Sequence, residues 1–138
     1  MFLTCFAYSA EKVVVKSMFG KGTYFSKLDG SAFKEGKPEN YDDKISSPIS
    51  FLITNEGTFI SHNNGLKKLI TLKLGSSSIM HVEHYGEEGN THNWTFHFGE
   101  KNPKNKDEFL VTMTRTRNTL FVTNTAMYWG WAKMEKVK

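Results

Sequence analysis

The residue types best suited to holding a ligand crowd toward the C-terminal end of this chain. Residues 126–134 read AMYWGWAKM, bringing Tyr128, Trp129 and Trp131 together, with Asn124 just before them and Lys133 just after. Flat aromatic faces beside a polar group suit stacking on a sugar ring or a base, and a rim tryptophan also suits a membrane interface. In an extended chain alternate side chains share a face, so Trp129 and Trp131 point one way and Tyr128 the other. Either the tryptophan pair meets a ligand, or it fills the core and Tyr128 is the exposed ring. Upstream, Arg115 and Arg117 alternate in MTRTRN and share a strand face. With Lys101, Lys104 and Lys106 they could form an anion patch, or they could shield a strand edge from aggregation. Arg115, Arg117, Asn124, Tyr128, Trp129 and Trp131 are the expected ligand-binding residues.

Other chemistry is less well provided for. The histidines come as His81-x-x-His84, then His92 and His97. Metal ligation needs side chains that converge, and strand positions three apart face opposite sides, so no metal site is expected. Cys5 sits in an apolar run and reads as a small core residue. The chain carries no GxSxG, no HExxH and no phosphate-cradling glycine loop. Glu35, Glu39, Asp42 and Asp43 cluster, but among Lys34, Lys37 and Lys44, in what reads as a solvated loop rather than a pocket that perturbs an acid. The expectation is binding rather than catalysis, with no cofactor.

Composition sets wider limits. A length of 138 residues suits a single domain, here taken as 1–138, with a core that needs no staples. The formal charge of +4 permits an anionic partner, although acidic and basic residues are interspersed. No apolar run is long enough to span a bilayer. One cysteine excludes an intramolecular disulfide, which suits a cytoplasmic protein or one secreted without disulfides. The opening MFLTCFAYSA lacks the positive charge of a signal peptide and alternates like a first strand over residues 2–7.

The elements that must position these residues are strands. Residues 13–15, 49–54, 69–74, 79–85, 94–98, 109–114, 120–123 and 127–134 are β-branched, aromatic or alternating, with Gly, Asn, Asp and Ser between them. No window carries apolar residues at helical spacing for three turns. Residues 34–47 and 99–108 read as long polar loops. An all-β sandwich or barrel follows.

Within this pattern a unit recurs. Aligning Thr23, Thr58 and Thr119 places VVVKSMFGKGTYFS, PISFLITNEGTFIS and FLVTMTRTRNTLFV under one another. Each reads as a strand, a polar turn, then Thr and a second strand. The first two lead to Asp29-Gly30 and Asn64-Gly65, dipeptides that accept the positive φ of a tight turn. Three hairpin units suggest a three-fold array. KVVVKSMFGKGTYFSKLDGSAF resembles the repeating unit of the β-trefoil superfamily, in particular its fascin-like and fibroblast-growth-factor-like members. The Gln-x-Trp signature of ricin-type lectin trefoils is absent, so their sugar sites are not implied.

A second resemblance points elsewhere. ISFLITNEGTFISHNNGLKKLITL, IMHVEHYGEEG and EFLVTMT are similar in pattern to the later strands of the intracellular fatty-acid-binding proteins, barrels with an internal lipid cavity. That family's opening Gly-x-Trp and helix pair are missing, and Arg115 and Arg117 lie one strand too early for its carboxylate-holding Arg-x-Tyr. VTNT followed by Trp131 resembles the sugar-binding strand of galectins, which need further strands after that tryptophan.

The expected fold is therefore an all-β β-trefoil of three hairpin units, with a calycin-type up-and-down barrel as the alternative. The expected function is non-catalytic binding of a carbohydrate or another polyanion. An intracellular lipid carrier is the alternative, and a cytoskeletal or protein-interaction trefoil a further one.

Overall fold

The computed structural model describes residues 10–26, 39–63, 65–85, 90–118 and 122–137. The strand expected over residues 2–7, with Cys5, and the Asp29-Gly30 turn lie outside the described residues, as does Asn64. What is described is all strand and turn: β1 (Glu11–Val15), β2 (Met18–Ser26), β3 (Glu39–Ile45), β4 (Ile49–Thr54), β5 (Gly57–His62), β6 (Gly65–Lys68), β7 (Ile70–Leu74), β8 (Ser78–Tyr85), β9 (Asn90–Asn102), β10 (Asn105–Asn118) and β11 (Val122–Lys136). No helix among them is long and apolar enough to cross a membrane.

All pairings are antiparallel, and most join strands adjacent in sequence. From β8 through β9 and β10 to β11 each strand lies beside the next. β11 then pairs along its length with the first two strands, its C-terminal part with β1 and its N-terminal part with β2. β1 continues to β4 and β2 to β3, and β4 passes to β5 and β5 to β6. The two ends of this path are β6 and β7. Only Leu69 separates them in the chain, and its N–H donates to the Thr58 carbonyl at 2.8 Å. The sheet thus curls round to meet itself as a nearly closed barrel.

Alternation decides which side chains enter the barrel. Val13, Val15, Phe51, Phe96, Phe109, Val111 and Met113 are buried almost completely. Phe51 meets Phe96 edge to face at 5.0 Å and Trp94 at 5.1 Å, and Phe96 meets Phe109 at 5.9 Å. Each such side chain contributes about 1.5–3 kcal/mol on burial. One end of the interior is therefore a packed aromatic core.

The recurring unit is not one structure used repeatedly. PISFLITNEGTFIS forms a hairpin, β4 turning at Asn55-Glu56 into β5. VVVKSMFGKGTYFS does not: β1 and β2 run on in line, both against β11. Its glycines, read from sequence as a turn, lie within a strand. The pattern matched because Thr and large apolar residues mark strands of any topology.

The two expected loops also change. Residues 39–45 form β3, whose ENYDDKI is polar enough to read as loop, with Tyr41, Asp43 and Ile45 alternating toward the interior. β9 runs to Asn102 and β10 begins at Asn105, leaving only a tight turn. Of the two short strands expected at 120–123 and 127–134, residues 122–123 and 127–134 belong to one long strand, β11, and residues 119–121, with the third Thr of the recurring unit, lie outside the described residues.

Candidate functional site

Cross-strand register stacks the inward-facing residues in tiers. One tier reads Tyr41, Gly22, Ala126, Arg115, His92 and Glu83 across β3, β2, β11, β10, β9 and β8. The tier beneath it, toward the aromatic core, reads Asp43, Gly20, Tyr128, Met113, Trp94 and His81. Polarity therefore rises along the barrel, from the phenylalanine core to a charged end.

Small residues make room for this polar end. A Cβ on Gly20 would lie 2.3 Å from the Tyr128 ring, and one on Gly22 would lie 2.2 Å from the Tyr41 ring. The phenols lie directly over these glycines. Tyr128 donates to Asp43 Oδ2 at 2.6 Å. The Tyr41 hydroxyl accepts from Asn124 Nδ2 at 2.5 Å and from an Arg115 guanidinium nitrogen at 3.3 Å. Arg115 also lies 3.7 Å from Asp43 and stands over the Tyr128 ring at 5.2 Å. Its side chain is only 15% exposed.

These contacts leave some polar capacity open. Among the described residues, buried Arg115 Nε and Asn124 Oδ1 have no hydrogen-bond partner, nor do Trp94 Nε1 and His81 Nε2 in the tier below. A buried polar atom without a partner costs about 1–3 kcal/mol, so such a group calls for an occupant of its surroundings. Arg115 Nε offers a donor and Asn124 Oδ1 an acceptor, on neighbouring strands and beside the same phenol.

No family model, curated protein or solved structure matches the chain.

A second polar group occupies the far side of the same tier. Glu83 is fully buried, with His62 Nε2 2.7 Å from one carboxylate oxygen, Lys67 Nζ 3.9 Å from the same oxygen, and His92 Nδ1 3.6 Å from the other. His92 and Arg115 are register partners, so this cluster adjoins the arginine. Below it His81 is buried against Phe96, and its Nδ1 lies 3.0 Å from the Thr71 hydroxyl. Burial pulls its pKa down to about 4, so His81 is neutral at physiological pH. His84 lies on the opposite, exposed face, as spacing requires.

Asp43 is held below the usual carboxylate range, first by the Tyr128 hydroxyl and then by the Lys44 N–H, Arg115 and Arg117, against an opposing desolvation effect. Tyr128 is raised, first by burial and then by its bond to Asp43, so its proton stays on.

The residues expected from sequence thus divide between two faces. Arg115, Asn124 and Tyr128 point into the barrel, with Arg117 following toward its polar end and exposed. Trp129 is exposed on the outer surface, with Trp131 half-buried beside it. The alternative in which the tryptophans fill the core and Tyr128 is exposed is reversed: Tyr128 is 0% exposed and Trp129 46%. Gly130, between the tryptophans, serves the fold. A Cβ there would lie 2.4 Å from the Ser17 carbonyl, where the chain bends between β1 and β2. Sequence reasoning missed Tyr41, Asp43, His62 and Glu83. The only signal for Tyr41 and Asp43 was their alternation with Ile45 in a segment that reads as loop.

Proposed function

We propose that this is a non-catalytic binding protein that takes a small, hydroxylated anion at the polar end of its barrel. The observation that carries the reading is the pairing of Arg115 Nε and Asn124 Oδ1, both buried and without partners among the described residues, either side of the Tyr41 hydroxyl. An anionic oxygen suits the guanidinium, and a neighbouring hydroxyl suits the amide oxygen, the pairing found in a hydroxy acid or a sugar acid. Exposed Arg117, two positions on from Arg115, adds attraction for the same charge.

The order of strands, each mostly beside its sequence neighbour, supports a calycin-type up-and-down barrel over a β-trefoil. A long acyl chain is a poorer match to this interior than a small anion. Phe51, Phe96, Phe109 and Val111 already occupy the space below the polar tiers, each nearly or fully buried.

Native mass spectrometry of protein purified without denaturation, followed by calorimetric titration with lactate, citrate, gluconate and glucuronate, tests the reading. Binding of at least one of these, weakened about ten-fold or more in Arg115→Ala and partly kept in Arg115→Lys, is expected. The absence of any bound small molecule together with no binding across the panel would overturn it.

A further inference from the structure

The outer face of β2 and β11 carries a second, separate arrangement. Phe19 and Trp129 are register partners on these strands, both about half exposed, with ring centroids 5.9 Å apart. Trp131 stands edge-on to Trp129 at 6.2 Å, and Met127, 63% exposed, extends the row on the other side. Exposed aromatic rings in a line on one sheet face are costly to leave in water and are not needed for the core, which lies on the opposite face.

Trp129 forms a ridge between two surface depressions. The larger, about 440 Å³, is lined by Phe19, Lys21, Asp42, Asp43, Met127 and Trp129. The smaller, about 200 Å³, is lined by Lys16, Phe19, Glu108, Trp129 and Trp131. Each therefore sets an ammonium and at least one carboxylate beside the shared indole. In the larger, Lys21 Nζ and Asp42 Oδ1 lie 3.9 Å apart and both are almost fully exposed. Both signs of charge line each depression, so neither a polyanion nor a polycation meets a surface of the opposite sign alone.

We propose that this face binds a neutral oligosaccharide, with one sugar ring stacked on Trp129 and its neighbours seated in the depressions on either side. The C–H face of a pyranose is apolar and flat enough to cover an indole, whereas its edge carries hydroxyls that both donate and accept. A carboxylate accepts from such hydroxyls and an ammonium donates to them, so the mixed pairs at Lys21–Asp42 and Lys16–Glu108 match that edge. A purely apolar partner would leave those charges facing it, at a desolvation cost. The stacking indole is separate from the inner site, since Trp129 and Tyr128 point to opposite sides of the same strand, and Asp43 borders both.

Tryptophan fluorescence and calorimetry with cellohexaose, chitohexaose and mannohexaose, with heparin hexasaccharide as the anionic comparison, test this assignment. At least one neutral probe is expected to bind with little dependence on salt. Trp129→Ala should weaken it by about ten-fold or more. Phe19→Ala should weaken it by a smaller factor. Leu72→Ser, on the distant β7, should leave it unchanged. The proposal is overturned if no neutral probe binds, or if heparin binds more tightly with a steep salt dependence. It is also overturned if both aromatic variants bind as well as the parent, or if sedimentation shows this face joining two copies of the chain in an association that Trp129→Ala abolishes.

Discussion

The Tyr128 hydroxyl reaches across β2 to donate to Asp43 on β3, 2.6 Å away, although β11 and β3 are not neighbours in the sheet. The reach is possible because the strand between them carries Gly20 at that position, and the phenol lies on its bare backbone. One hydrogen bond, one glycine and one buried ring thus fix the distance between β11 and β3, and with it the placing of Arg115 between Tyr41 and Asp43.

Removing that hydroxyl tests the link. Tyr128→Phe is expected to lower unfolding free energy by about 1–2 kcal/mol, less than a fully buried bond to a charge because Asp43 is partly in water. A double-mutant cycle with Asp43→Asn in denaturant melts should show clear coupling. Additive effects would mean that the bond does not hold the strands.

Adding a methyl beneath either phenol should be costly. Gly20→Ala places carbon within 2.3 Å of the buried Tyr128 ring, and the neighbouring packing cannot yield without moving that ring. A loss of about 1–3 kcal/mol is expected. Gly22→Ala strikes Tyr41, so it should also disturb the inner site, read as weaker binding of whichever anion the parent takes up.

Acid should weaken the fold through His81. Its pKa falls from 6.5 to about 4 on burial, so the unfolded chain takes up a proton that the folded chain refuses. That stability is complete above pH 6.5 and declines as the pH drops toward 4. The midpoint of urea unfolding, followed between pH 7 and pH 4, should fall in the parent and fall less steeply in His81→Gln. Equal slopes would show that another group is responsible.

Asp43 acts in a lower window. Its folded pKa lies below the 3.8 of an ordinary aspartate, so its contribution is present above that value and is lost as the pH falls through the folded pKa. Asp43→Asn should flatten the same urea series where it is carried on from pH 4 to about pH 2, and leave its slope above pH 5 unchanged.

Truncating the aromatic core should cost most. Phe96 is 0% exposed and meets Phe51, Phe98, Phe109 and His81. Phe96→Ala is expected to lose about 3–5 kcal/mol, measured by thermal or denaturant melting. A loss below about 1 kcal/mol would contradict a solid interior at this end.

The chain's strand character was legible because alternation and β-branched runs are local properties. LITLKL, IMHVEHY and WTFHF each announce a strand without reference to anything distant. Arg115, Asn124 and Tyr128 were legible as polar and aromatic groups close together in sequence, and pairing of β10 with β11 does bring them together. β3 was not legible, since ENYDDKI is half solvated and its inward residues are themselves polar. Nor was the way the barrel is put together. Thr23 and Thr58 sit in similar words, yet one lies in a bent strand and the other in a hairpin, because pairing partners far along the chain decide whether Gly-Lys-Gly turns or runs straight.

The sequence by itself determined that the chain forms strands and that alternate residues on each must part company, Tyr128 from Trp129 above all. Which of the two went inside was decided by tertiary structure. A bare glycine on β2 and a carboxylate on β3 give Tyr128 an inner seat with a hydrogen-bond partner, whereas nothing in the local sequence marks one face of β11 as the inner one. Burial is a property of the assembled sheet, and it alone divided a single aromatic patch into an inner polar group and an outer aromatic face.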